Sequence, residues 1–82
     1  MERITRHRAN AAHHLTIARS DMARVYAIVR RYSGDRRWGR VDQNPEARPV
    51  LAELRRRLRH ARTELRAAEA LEDLLTQLRE AA

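Results

Sequence analysis

The chain has no cysteine, no lysine and no phenylalanine, and only two glycines and two prolines. Without cysteine there are no disulfides, thiolate metal sites or thiol nucleophiles, and a reducing, cytoplasmic setting is the expectation. So little glycine and proline excludes collagen-like, low-complexity and turn-rich all-β chains. Long hydrophobic runs are missing too. No strictly apolar run exceeds the three residues of Ala27-Ile28-Val29, far short of the ~20 residues that span a bilayer or of the apolar segment of a signal peptide. Large apolar side chains are scarce: alanine fills 14 of the apolar positions and leaves 21 others in 82 residues. A single core in so small a chain rarely supplies more than ~3–5 kcal/mol. The chain therefore needs very regular helices or a partner.

What is present is arginine, which supplies all 18 basic residues against 11 acids, for a formal net charge of +7. Abundant alanine beside arginine is the mark of a GC-rich coding sequence. The guanidinium fork also suits phosphate and carboxylate better than an ammonium does.

Two stretches repeat at helical spacing. In the first, Ile4, Ala11, Leu15, Ala18, Met22, Val25, Val29 and Tyr32 share a seam, stepping four and three from Ala11 onward, which is a heptad pattern. The step from Ile4 to Ala11 lands on His7 or Arg8, so residues 1–9 read as a frayed basic arm and helix one as about 10–32. In the second, Leu51, Leu54, Leu58, Ala61, Leu65 and Ala68 step likewise; the seam then shifts through a stammer to Leu71, Leu75 and Leu78, with Leu74 widening the apolar face. Helix two is expected over about 46–80.

Residues 33–45 connect them. Gly34 suits the left-handed conformation that closes a helix, and Asn44-Pro45 reads as a cap followed by a first-turn proline. The expectation is an all-α, coiled-coil-like antiparallel two-helix hairpin, one domain over 1–82. It would complete a bundle by self-association or with a partner helix, because a lone pair buries only one stripe per helix. The widened face at Leu71, Leu74, Leu75 and Leu78 is the expected self-association or partner-helix surface.

Charge supports the hairpin. Residues 30–62 hold eleven arginines and four acids, +7; residues 1–29 are +3 and residues 63–82 are −3. The last two segments cancel side by side at the open end, with Arg3, Arg6 and Arg8 near Glu69, Glu72, Asp73 and Glu80. The net charge thus falls at the turn end, an address for an anionic partner: nucleic acid or an acidic protein surface. Arg30, Arg31, Arg36, Arg37, Arg40 and Arg48 are the expected anion contacts. Trp38 either stacks on an unpaired base or folds back over the helix ends. Arg55, Arg59, Arg62 and Arg66 form a coherent stripe along helix two.

Chemical sites are not evident. Adjacent His13 and His14 diverge by ~100° around a helix, His7 lies two turns from His14, and His60 is expected near Ala18 to Met22, away from His7 and not clearly on the face of His14, so no metal site is expected. No phosphate loop or nucleophile elbow occurs, and Ser20-Asp21 reads as a surface pair with Asp21 bonded to Arg24. Neither a cofactor nor catalysis is expected. The leading expectation is a small non-enzymatic module that docks nucleic acid through its Arg/Trp-rich turn, by contacts mainly to phosphates. The alternative is a structural, adaptor or inhibitor-like subunit of a larger assembly of phage or mobile-element type. A membrane-surface helix comes last, since bulky interfacial aromatics are lacking.

Overall fold

The computed structural model describes residues 2–81; Met1 and Ala82, the ends of the expected domain, lie outside them. Helix α1 spans Glu2–Arg31 and helix α2 spans Ala47–Ala81. They pack against each other as an antiparallel hairpin measuring 63 × 17 × 15 Å.

The burial pattern follows a heptad, with Asp21 and Val50 also buried, three residues after Ala18 and Ala47. Ile4, Ala11, Ala18 and Val25 are buried on α1, and Ala47, Leu54, Ala61 and Ala68 on α2, each seven residues from the last. Alanine at four of the central positions lets two helix axes approach closely, because interaxial distance follows the size of the side chains at the contact. It also makes the core thin, since a buried methyl group contributes only about 0.8 kcal/mol.

Two expectations about the seam are corrected. First, α1 begins at Glu2, not near residue 10. Ile4 is buried one full heptad ahead of Ala11, and the polar residues between them pair across the hairpin. His7 Nδ1 and Glu64 Oε2 lie 2.5 Å apart, and Arg8 is paired with Glu72. Second, there is no seam shift at a stammer. Leu75 continues the heptad from Ala68 and shares a groove with Ile4; Leu71 is half-buried like Leu75 but lies off that row, and Leu74 and Leu78 are 51 % and 59 % exposed.

The hairpin has two unlike sides. On one, Leu15 and Leu65 meet in a groove with Ala11, Ala12 and Ala68, and the Arg8–Glu72 pair lies one heptad further toward the open end. On the other, polar groups cross: His7 meets Glu64, an Arg57 N–H donates to His14 Nδ1 at 3.2 Å, and the His14 and His60 rings stack at 5.2 Å. The face of His60, not clear from spacing, is thus the one that His14 shares. His14 stands three residues after the buried Ala11 and His60 one before the buried Ala61, so both come from rows flanking the interface and meet there. Asp21 is likewise not a surface residue. It is buried in the interface, with Oδ1 3.7 Å from Arg24 and Oδ2 without a hydrogen bond.

Candidate anion-binding tip

The connection works because two short side chains organise its backbone. Asp35 Oδ1 accepts from the backbone N–H groups of Trp38 (2.7 Å) and Arg37 (2.8 Å), and the Gly39 N–H closes the turn onto the Asp35 carbonyl at 3.2 Å. Those two N–H groups, Trp38 first, hold the Asp35 carboxyl below the ordinary aspartate range. Gly34 precedes this turn at φ +89°, as expected for a helix-closing glycine. Gly39 has a different reason to be glycine: a Cβ there would lie 2.6 Å from the Asp35 carbonyl oxygen.

Asn44 is the hub. It is fully buried; its Oδ1 accepts from Glu46 N–H (2.9 Å) and Ala47 N–H (3.2 Å), and its Nδ2 donates to the Trp38 carbonyl at 2.7 Å. One side chain therefore caps α2 and ties its start to the preceding turn. Counted from this cap, Pro45 is the first helical residue, where a missing N–H costs nothing, and the Arg48 N–H makes the first helical bond, to the Asn44 carbonyl at 3.0 Å. Glu46 joins the helices: Tyr32 Oη donates to its Oε1 at 2.5 Å and Arg31 to its Oε2 at 2.9 Å. That bond to Glu46 is the main reason the Tyr32 phenol titrates above its ordinary value.

The seven residues expected to contact an anion do not form one surface. Arg30, Arg36 and Arg40 gather with Tyr26, Val29, Asp35 and Gly39 around an open groove of about 560 Å³. Arg31 is engaged by Glu46 in a separate depression with Ile28 and Val50. Arg48 lies with Leu51 and Arg55 along α2. Arg37 is exposed, and no ion pair among the described residues engages Arg30, Arg36, Arg37 or Arg48. Arg40 has only a long contact with Asp42, 3.9 Å.

Trp38 does not line the groove. Its ring meets Tyr32 edge-on, with centroids 5.7 Å apart, and it remains 39 % exposed. The aromatic that does line the groove is Tyr26, which is 62 % exposed. Its signal was legible: Tyr26 stands four residues before Arg30, the spacing that puts two side chains on one helix face.

Among the described residues no group of three or more histidine, aspartate or glutamate side chains is placed to hold a metal ion. No described helix is long and apolar enough to cross a membrane. The chain matches no family model, and neither a curated protein nor a solved structure shows significant similarity to it.

Proposed function

We propose that this protein is a non-enzymatic cytoplasmic binding module whose hairpin tip docks a polyanion, with nucleic acid favoured. The carrying observation is the groove in which Arg30, Arg36 and Arg40 converge beside the exposed Tyr26, within the segment that holds the whole formal net charge. Guanidinium groups at a rim can each neutralise a phosphate, and an exposed ring offers a stacking surface for a base. Arg37 and Arg48 extend the positive field on either side. Arg31 contributes less, because Glu46 already neutralises it.

The reading is tested by binding of a labelled oligonucleotide, single- and double-stranded, at about 50 and 200 mM salt, the interval over which phosphate contacts weaken steeply. Binding that falls with salt is expected. Replacing Arg30, Arg36 and Arg40 by glutamine should lower the log–log salt slope by about 2–3, one contact each. Absence of binding at the lower salt would overturn the proposal.

A second reading has its own observation. Leu74 and Leu78 are exposed at the open end beside half-buried Leu71 and Leu75. That surface suits a structural or adaptor subunit, or a homo-oligomer. Leu74→Ala with Leu78→Ala would then abolish association, read by sedimentation, and leave tip binding intact.

A further inference from the structure

The side of the hairpin that carries the Leu15–Leu65 groove is apolar for three heptads. Seven-residue steps from those two leucines reach Met22 and Leu58, then Val29 and Leu51. In an antiparallel pair of right-handed helices, positions four residues after the buried row turn toward the same side on both helices. The record of contacts agrees, since Arg8 and Glu72, both in these rows, pair with each other. The six side chains therefore line one valley between two helices. Met22 and Leu58 are each 43 % exposed at its centre. The valley holds no polar crossing like those among His7, His14, Arg57 and Glu64 on the opposite side.

The α2 margin of this valley is a row of cations. Arg48 and Arg55 flank Leu51, Arg62 follows one heptad on, and Glu69 closes the row beside Leu65; the three arginines are exposed, and no ion pair among the described residues engages them. Their neighbours Arg56 and Arg57 are instead paired with Glu53. An apolar valley with one uncompensated basic edge selects the chemistry of what fills it. A second copy laid in the valley would bring its own arginine row against this one, because the middle of that row holds no acid. A nucleic-acid backbone would have no use for the leucines.

We propose that the valley is the docking site of an amphipathic helix from an acidic partner protein. That helix would complete a three-helix coiled coil. It would place apolar residues at three- and four-residue spacing over Leu15, Met22, Val29, Leu51, Leu58 and Leu65, and aspartates or glutamates along the Arg55–Arg62 edge. This is the helix-in-groove mode of recognition, with charge setting orientation and partner choice. The surface borders the tip groove at Val29 and centres two layers away on Met22 and Leu58, apart from the open-end leucines.

The test uses the full chain and a synthetic 21-residue helical peptide with leucine at heptad a and d positions and glutamate on the flanks. A peptide of the same pattern with lysine flanks and a single-stranded oligonucleotide serve as controls. Titration calorimetry should show the glutamate peptide binding at least tenfold more tightly than the lysine peptide. Met22→Ser with Leu58→Ser should weaken that binding at least tenfold, and Arg55→Gln with Arg62→Gln should remove most of the preference for glutamate. These positions are exposed, so circular dichroism should stay helical. Arg36→Gln with Arg40→Gln should leave peptide binding unchanged, which separates this site from the tip. Equal binding of the two peptides, no binding of either, displacement of the peptide by the oligonucleotide, or a dimer that disappears in Met22→Ser with Leu58→Ser would each overturn the proposal.

Discussion

The two ends of the hairpin are stabilised in different ways. At the tip, two short polar side chains hold the backbone: the buried Asn44 and the exposed Asp35 between them accept four backbone N–H bonds and leave the arginines free to point outward. At the open end, oppositely charged side chains meet across the helices, as Arg8 does with Glu72, while Leu74 and Leu78 stay exposed. A tip built from directional bonds is rigid and sensitive to single-atom changes. An end built from solvated ion pairs tolerates substitution, because exposed pairs contribute little. The difference teaches where mutation should hurt, and it suits a molecule that presents charge at one end.

The largest loss is expected at Asn44. Asn44→Ala removes the α2 cap and leaves the Trp38 carbonyl without its donor, which should cost about 2–3 kcal/mol. Thermal unfolding followed by circular dichroism should show a fall of roughly 10 °C or more for a chain of this size. Asn44→Asp, which keeps the capping oxygen, should lose less.

The two glycines sharpen the picture next. Gly39→Ala forces a methyl group into the Asp35 carbonyl and should cost about 1–3 kcal/mol, as other overpacking does. Gly34→Ala meets no atom within 4 Å but holds a left-handed backbone, for a cost of about 1 kcal/mol. Denaturant midpoints of the two variants measure this ordering.

Acid should act between the ends. Burial, then the facing charges of His60, Arg57 and His13, lower the His14 pKa from its ordinary 6.5, with Glu64 opposing them. The unfolded chain then binds that proton more readily than the folded one, so stability is full above about 6.5 and is lost as pH falls toward the folded value. Glu64, held down mainly by its bond with His7, and Asp35 act at lower pH. Their contributions are present above 4.5 and 3.8 and are lost as pH falls through the depressed folded values. The melting temperature should therefore drop between about pH 7.5 and 5.5, the range in which histidine titrates, and His14→Gln should flatten that drop. The smallest effect belongs to the open end: Arg8→Gln should cost less than about 1 kcal/mol.

The hairpin, the role of Gly34 and the Asn44 cap were legible in the sequence, because heptad spacing and turn chemistry are local signals. The start of α1 was not. His7 and Arg8 look like a break in the seam until Glu64 and Glu72 stand opposite them, some 57 and 64 residues away in the chain. Met22, Leu58 and Leu65 have core spacing but remain substantially exposed, because a two-helix pair covers the central row on each helix and only part of the row beside it. At the tip, the charge was evident from composition alone. Its division into a three-arginine groove, a Glu46-bound Arg31 and a separate α2 margin depends on how the turn folds back. That geometry also sets Trp38 against Tyr32 and leaves Tyr26 as the groove's aromatic.

The Asn44 hub also bears on the order in which the hairpin assembles. It ties together residues only three and six positions apart, so it can form before any distant contact exists. Closing a chain segment costs more as the segment lengthens, though only slowly. Each layer made next to the turn shortens the free chain that the following layer must close. Pairing should thus run like a zipper from Tyr32 and Ala47 toward Ile4 and Leu75. The charged open end then acts as the slider's last teeth, the first to part and the last to meet.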